Sequence, residues 1–201
     1  MENIDTIKQW LSTGSINIFG RPFAGKDTQG RKLTELFDAH MMGGGEILRN
    51  SDVSPRINEV LARGELIPSE DYVEIVLPYL SKPEFAGKPL ILSSVGRWLG
   101  EETGVMQALK AANHDLKCVI YLDISEDEVR ARWHALENHD DRHNRNDDTL
   151  EALEVRLKEY REKTLPVIEK YRELGLLIEV DGVGDVDAIH QHILVALANR
   201  V

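Results

Sequence analysis

The sequence predicts an α/β fold in which a parallel sheet lies between helices on both faces, giving three layers. Short apolar and β-branched runs alternate along the chain with longer segments of helical periodicity, and no repeat with a period of roughly 20 to 50 residues interrupts them. A strand followed by a helix and then by another strand returns in the same direction, which makes the sheet parallel. The length of 201 residues is typical of one such domain.

The predicted elements follow one another in a regular order. Apolar or β-branched runs predict strands at 15–19, 39–42, 89–92, 117–124 and 176–180. Segments with helical periodicity predict helices at 5–12, 26–37, 55–63, 69–80, 102–113, 126–136, 149–174 and 185–200. Pro166 lies inside the long helix before the last strand, where it removes a backbone donor and predicts a local kink.

The charge and cysteine content exclude several classes of protein. The chain carries 35 acidic and 24 basic residues, a net charge of −11, which argues against general nucleic-acid binding because phosphates attract a surplus of Lys and Arg. No window reaches the roughly 18 consecutive apolar residues of a membrane span. Cys118 is the sole cysteine, so an internal disulfide and a thiolate metal cluster are excluded. Without a secretory signal pattern at the start, we expect a cytoplasmic protein.

The segment GRPFAGKDTQ, at 20–29, carries the strongest functional signal in the chain. It follows the first predicted strand and opens the first predicted helix. Gly20 and Gly25 allow the backbone to curl so that its N–H groups converge on phosphate oxygens, while Lys26 supplies a positive charge. The positive end of the following helix adds to the attraction. The sequence therefore predicts a nucleotide-phosphate loop and a fold of the P-loop NTPase type.

With this loop the chain resembles the nucleoside monophosphate kinase family, adenylate kinases most closely, whose loop reads GxPGxGKGTQ. Phe23 and Asp27 each stand where that pattern has glycine. The resemblance reaches the C-terminus and implies a single kinase domain, 1–201, that transfers the γ-phosphoryl group of ATP to a nucleoside monophosphate, AMP first, with Mg²⁺. It assigns ATP binding to Gly20, Pro22, Ala24, Gly25, Lys26, Asp27, Thr28, Gln29, Arg132 and Gly184.

Phosphoryl transfer depends mainly on cationic groups that position and neutralise phosphates, so the arginines are informative. RNDDTLEALEVRLKEY, at 145–160, resembles the family's RxDDxxExxxxRLxxY. Arg145 and Arg156 are 11 residues apart, about three helical turns, and both can face one cleft. The resemblance implies catalytic roles for Lys26, Arg97, Arg145 and Arg156, and stacking of Arg132 on the donor adenine. The polar stretch within 137–148 is expected to form a short mobile lid.

An insertion at 43–72 is expected to bind the acceptor nucleotide. GGGEILRN resembles the family's STGDxLR, SSVGRW resembles DGFPR, and GELIPSE resembles the GxLVP segment whose backbone reads the acceptor base. The resemblance assigns acceptor binding to Gly44, Arg49, Glu65, Leu66, Ile67, Arg97 and Glu101.

Several positions depart from the family pattern. Gly44 replaces a threonine, and Glu101 replaces a glutamine. An ionised carboxylate only accepts hydrogen bonds, so Glu101 predicts relaxed or shifted base selectivity. Ser93 stands where the family has the aspartate that orients magnesium-bound waters. Asp27, with Thr28, is the predicted replacement at the metal.

Three interpretations remain open. The first is an ATP- and Mg²⁺-dependent nucleoside monophosphate kinase, expected to be a monomer that binds neither nucleic acid nor membrane. The second is a related P-loop kinase that takes GMP, another nucleoside monophosphate or a non-nucleotide small molecule, although Arg49 and Arg97 favour a phosphorylated acceptor. The third is a non-catalytic nucleotide-binding module, suggested by Ser93 and Asp27. Retention of the catalytic lysine and arginines argues against the third.

Overall fold

The computed structural model describes residues 2–50, 52–137 and 149–201. These residues contain a five-stranded, all-parallel sheet in the order β2-β3-β1-β4-β5. The strands are β1 Ser15–Gly20, β2 His40–Gly43, β3 Leu90–Ser93, β4 Leu116–Asp123 and β5 Leu177–Asp181. The predicted α/β fold and its parallel strands are therefore confirmed.

Alternate side chains of one strand enter different apolar clusters, which shows that helices cover both faces of the sheet. In β4, Ile120 and Leu122 belong to one cluster, whereas Val119 and Tyr121 belong to another. The helices are α1 Glu2–Leu11, α2 Lys26–Phe37, α3 Gly44–Asn50, α4 Pro55–Ala62, α5 Ser69–Val76, α6 Glu101–Ala111, α7 Glu126–Glu137, α8 Leu150–Glu159, α9 Leu165–Glu173 and α10 Val186–Ala198. Within the described ranges, no helix is both long and apolar enough to cross a membrane.

Two of the predicted helices are interrupted in the structure, and a proline lies at each break, while α3 has no counterpart in the sequence prediction. The helix predicted at 69–80 is α5 followed by a 3₁₀ turn, Leu77–Ser81, which has Pro78 in its first turn. The helix predicted at 149–174 is α8 and α9 joined by a π turn, Tyr160–Thr164. Pro166 stands at the start of α9, where its missing N–H removes the helical bond that would continue the regular pitch. The predicted irregularity is confirmed.

The topology brings one edge of the sheet into position for a ligand. β1 and β3 are neighbours in the sheet, but the connection after β1 leads to β2 on one side and the connection after β3 leads to β4 on the other, so the chain leaves these two strands in opposite directions. A crevice forms beyond the carboxyl ends of strands at such a point, and ligands of open α/β sheets bind there. The phosphate-loop segment follows β1, and Ser93 ends β3.

Candidate active site

The loop between β1 and α2 has the conformation that a phosphate-binding loop requires. Gly25 has φ +87° at the N-terminus of α2, a left-handed conformation that glycine adopts without a steric penalty. A Cβ on Gly20 would lie 2.8 Å from the Leu122 carbonyl oxygen. Both glycines are therefore needed for this path of the backbone. The positive end of α2 faces the crevice at the sheet edge.

Arg132 joins the phosphate loop to the loop after β5. Its Nη1 donates to the Phe23 carbonyl at 3.1 Å and its Nη2 donates to the Gly182 carbonyl at 2.8 Å, while Nε pairs with Glu128 at 2.7 Å. Phe23, which replaces a family glycine, has φ +61°, a strained value for a residue with a side chain. Arg132 thus holds a strained loop residue. Gly184, with φ +120°, shapes the second loop.

Lys26 lies in a desolvated and electropositive setting. Its Nζ donates to the Arg21 carbonyl at 2.9 Å. Burial and, to a smaller extent, the positive charges of Arg97 and Arg156 lower the Lys26 pKa to about 8, against the opposing effect of Asp27. Such a shift marks a cation that the apo protein stabilises poorly. An anionic ligand would restore its ordinary pKa.

Four cations converge at this site, and we call them the cationic cluster: Lys26, Arg49, Arg97 and Arg156. Burial lowers the Arg97 pKa, and Arg156 and Arg49 lower it through repulsion, while Tyr72 and Asp27 oppose them. Repulsion between these like charges opposes their close approach. An arrangement of this kind is typical of polyphosphate binding, where the ligand supplies the missing negative charge.

Asp27 reaches the end of β3. Its Oδ1 accepts a hydrogen bond from Ser93 Oγ at 2.7 Å, and Ser93 is paired in register with Ile18 of β1. The carboxylate therefore lies beside the strand end where the family pattern has its aspartate. A carboxylate next to the hydroxyl of Ser93 belongs to the hard oxygen ligands that Mg²⁺ prefers, directly or through its waters. These residues fit the metal that the sequence predicts.

Glu101 makes its contacts within the protein. Its Oε2 accepts hydrogen bonds from the backbone N–H of Arg97 at 2.7 Å and of Trp98 at 3.0 Å, and its Oε1 accepts one from Ser69 Oγ at 2.6 Å. The sequence predicts contact between Glu101 and the acceptor base. In the structure, Oε2 holds the chain at Arg97 and Trp98, and Oε1 holds Ser69.

The segment predicted to read the base is also engaged in internal contacts. The Glu65 carboxylate pairs with Arg63 at 3.0 Å. The Leu66 N–H donates to Glu159 Oε2 at 3.0 Å, and the Ile67 carbonyl accepts from Trp98 Nε1 at 3.0 Å. An acceptor that used the Leu66 N–H would have to displace Glu159, which lies on the same helix as Arg156.

Tyr72 is a residue of this site that the sequence analysis missed. Its hydroxyl accepts a hydrogen bond from the Gly96 N–H at 3.1 Å, and a Cβ on Gly44 would lie 2.5 Å from it. The Tyr72 hydroxyl therefore fills the space of a side chain at position 44. The available signal was Gly44 itself, because a glycine in place of a threonine implies that a neighbour occupies the vacated volume.

The Gln29 side chain is directed away from the phosphate loop. The resemblance assigns Gln29 to ATP binding, and in the structure its side chain is buried, with Nε2 donating to the Val186 carbonyl at 2.8 Å and Oε1 3.1 Å from His190 Nδ1. The helical pitch turns this side chain away from the phosphate loop, so Gln29 joins α2 to α10. Arg145 and positions 138–148 of the predicted lid lie outside the described residues.

Comparison with known proteins gives a consistent result. The family model for adenylate kinase matches residues 18–176. An adenylate kinase of Clavibacter michiganensis subsp. michiganensis is 32% identical over 188 residues, covering 91% of this chain and 92% of the relative. One from Xylella fastidiosa is 30% identical over 185 residues, covering 90% and 97%, and one from Archaeoglobus fulgidus is 28% identical over 203 residues, covering 87% and 93%. With a phosphate loop, a cationic cluster and these relatives, the chain is a nucleotide phosphotransferase that belongs to the adenylate kinase family.

Proposed function

We propose that this enzyme transfers the γ-phosphoryl group of ATP to AMP, giving two molecules of ADP, with Mg²⁺. The observation that carries the proposal is the cationic cluster between the phosphate loop and the 43–72 insertion. A phosphate oxygen of the acceptor attacks the γ-phosphorus, a new P–O bond forms, and the bond to the β-phosphate oxygen breaks. The charge that develops on the transferred group is stabilised by cations already in position.

On the donor side, the backbone of the phosphate loop and Lys26 hold the β- and γ-phosphates. The three guanidinium nitrogens of Arg132 donate hydrogen bonds to Glu128 and to the carbonyls of Phe23 and Gly182, which fixes the edges of the group. Stacking on the donor adenine uses the flat face of a guanidinium rather than its edges. This arrangement supports the predicted role of Arg132 at the base.

On the acceptor side, Arg49 and Arg97 bind the monophosphate. They lie close enough for Arg49 to lower the Arg97 pKa, which fits a pair that shares one dianionic group. Arg156 acts on both Lys26 and Arg97 and is therefore placed between donor and acceptor. Arg145 is proposed to join it from the lid segment.

Asp27, Ser93 and Thr28 are the residues that would hold magnesium and its waters. The bound ion would supply charge neutralisation between the β- and γ-phosphates. The protein's part is to orient these oxygens, and the Ser93 hydrogen bond fixes the direction of the Asp27 carboxylate.

A different nucleoside monophosphate, GMP in particular, is the second candidate acceptor. Two observations favour it: the expected base-reading groups of Leu66 and Ile67 are already hydrogen bonded, and the Tyr72 hydroxyl replaces a side chain at Gly44. Both alter the surroundings of the base while leaving the phosphate-binding arginines in place.

Coupled detection of ADP across AMP, GMP, CMP and UMP, with ATP and Mg²⁺, tests the proposal. AMP is expected to give the highest kcat/KM, and a higher value with GMP would favour the second candidate. Absence of turnover with all four, in protein shown to be folded and to bind ATP, would contradict kinase activity toward nucleotides.

The proposal includes a monomer that works in the cytoplasm. Cys118 is a free, buried cysteine whose pKa is raised by desolvation to about 12, so its thiol is unreactive and compatible with a reducing compartment. Light scattering after size-exclusion chromatography is expected to give the mass of one 22.7 kDa chain.

A further inference from the structure

The segment at 94–100 between β3 and α6, here named the Arg97 loop, has its backbone tied down along its length. Its N–H groups donate to acceptors from three elements of the fold, β1, α5 and α6. The pairs are Ser94 to the Ile18 carbonyl at 3.0 Å, Val95 to Asn17 Oδ1 at 3.2 Å, Gly96 to Tyr72 Oη at 3.1 Å, Arg97 and Trp98 to Glu101 Oε2 at 2.7 and 3.0 Å, and Gly100 to Glu102 Oε2 at 2.6 Å. These pairs fix the backbone of the loop in one conformation.

Glu101 is the link between this loop and the acceptor insertion. One of its oxygens accepts from the loop, and the other accepts from Ser69 at the start of α5. Trp98 adds a parallel link, because its Nε1 donates to the Ile67 carbonyl at 3.0 Å. Glu101 is 6% exposed, so these contacts are shielded from water and are stronger for it.

We propose that Glu101 is a positioning residue, which holds the Arg97 guanidinium at the acceptor phosphate and does not read the acceptor base. This inference rests on the proposed function, since it gives Arg97 a phosphate to bind. The direction of the Arg97 side chain follows from the backbone at 97, and left-handed residues, Ser94 at φ +50° and Gly96 at φ +78°, turn the chain just before it. Without Glu101, the N–H groups of Arg97 and Trp98 lose their acceptor, and the turn loses what fixes it.

Glutamine at position 101 separates the two roles. An amide oxygen can accept both backbone N–H groups, and the amide NH₂ can donate to Ser69 Oγ. The positioning role therefore survives in Glu101→Gln. A base-reading role does not, because the amide presents a donor to the base where the carboxylate presents only acceptors.

The test compares Glu101→Leu, Glu101→Gln and the matched control Glu102→Leu. Glu102 also opens α6, is 5% exposed and accepts a loop N–H, but that N–H belongs to Gly100. Glu101→Leu is expected to raise the KM for the acceptor about tenfold while the KM for ATP changes less than about twofold. Glu101→Gln and Glu102→Leu are expected to keep the acceptor KM within about twofold of wild type, and Glu101→Gln is expected to keep the AMP to GMP ratio of kcat/KM.

A double-mutant cycle shows whether Glu101 acts through Arg97. In an Arg97→Ala background, adding Glu101→Leu is expected to change the acceptor KM by less than about twofold, because the group that it positions is gone. If Glu101 instead contacts the base, the two effects multiply, and that result overturns the proposal.

Amide hydrogen exchange supplies a readout that is independent of activity. The amides of Arg97 and Trp98 are expected to exchange faster in Glu101→Leu and to stay protected in Glu101→Gln and Glu102→Leu. If Glu101→Leu fails to fold, Ser69→Ala is the alternative variant. It removes the hydrogen bond between Ser69 and Glu101, leaves the other contacts of Glu101 in place, and is expected to raise the acceptor KM about threefold.

The outcomes keep this inference apart from the proposed function. An active kinase in which Glu101→Leu leaves the acceptor KM unchanged, or in which Glu101→Gln shifts the AMP to GMP ratio about tenfold, overturns the positioning role alone. Absence of nucleotide kinase activity overturns the proposed function. In that case, amide hydrogen exchange at Arg97 and Trp98 that is unchanged in Glu101→Leu also refutes the hydrogen bonds to Glu101.

Discussion

Asp27 Oδ1 accepts a 2.7 Å hydrogen bond from Ser93 Oγ, and this contact joins the first turn of α2 to the last residue of β3. In the family pattern the acid stands at the strand end and the residue after the loop lysine is glycine. Here the acid stands on the helix, as Asp27, and the strand end carries the hydroxyl of Ser93. The carboxylate reaches the same neighbourhood from the opposite side of the crevice.

This position of the acid predicts the behaviour of the metal site. Asp27→Gly is expected to lower kcat about 10- to 100-fold and to raise the Mg²⁺ concentration for half-maximal rate, because the ion's waters lose an anionic partner. Adding Ser93→Asp is expected to restore part of both, since it returns an acid to the strand end. A Mg²⁺ titration of the single and double variants measures this, with Ser93→Ala as the control that removes only the hydrogen bond. Wild-type metal dependence in Asp27→Gly would reduce Asp27 to a helix-start acid that complements the dipole.

Lys26 is expected to be essential for turnover. Lys26→Met removes the charge aimed at the transferred phosphate, and kcat should fall by about 100- to 1,000-fold or more. The variant keeps the aliphatic part of the side chain, so loss of fold is not the expected cause. Steady-state kinetics gives kcat, and a thermal melt shows whether the variant is folded. A folded variant that retains most of its kcat would contradict a role of Lys26 in phosphoryl transfer.

The same substitution should stabilise the ligand-free protein in a pH-dependent way. The Lys26 pKa is about 8 in the folded protein against an ordinary value of 10.5, so below pH 8 the lysine is charged in both states and its burial opposes folding. As the pH rises from about 8 to about 10.5, the folded state releases the proton before the unfolded chain does, and the wild type recovers stability. Lys26→Met is therefore expected to be more stable than wild type at pH 7 by about 1 kcal/mol, since solvent reduces the full effect of such a shift. Urea unfolding at pH 7 and pH 10 should show this difference shrinking, and a constant difference would contradict the pKa shift.

The sequence predicted the elements that carry the site because short apolar runs and helix starts are local signals. It predicted the phosphate loop for the same reason, since adjacent residues build that loop. Tyr72 could not be assigned in this way, because its partner Gly96 comes close only through tertiary packing. The contact of Glu101 with Ser69 depends on tertiary packing in the same way. Gln29 matches the loop motif, but its side chain faces α10, because a motif match does not fix the direction in which a side chain points.

Variants on the donor side and on the acceptor side should affect the KM values of different substrates. Arg97→Ala is expected to raise the KM for the acceptor by about tenfold or more and the KM for ATP much less, because a charge-assisted contact to the monophosphate is lost. Arg132→Ala is the matched change on the donor side and should show the reverse pattern, since Arg132 joins the loops at 23 and 182. Equal effects of Arg97→Ala on both substrates would remove it from the acceptor phosphate.

Gly44 and Tyr72 should be energetically coupled. A Cβ at position 44 would lie 2.5 Å from Tyr72 Oη, so Gly44→Ala forces the tyrosine to shift and is expected to destabilise the protein by about 2 kcal/mol. Tyr72→Phe alone leaves the buried Gly96 N–H without its acceptor and should cost about 1 to 2 kcal/mol. The double variant removes the hydroxyl that the new methyl group would meet, so its loss of stability is expected to be smaller than the sum of the two single losses. Urea unfolding of the four proteins measures the coupling, with Gly104→Ala, whose Cβ would lie 3.7 Å from Leu77 Cδ1, as the control for adding a methyl group without a clash. Strict additivity would show that the Tyr72 hydroxyl does not occupy the space beside Gly44.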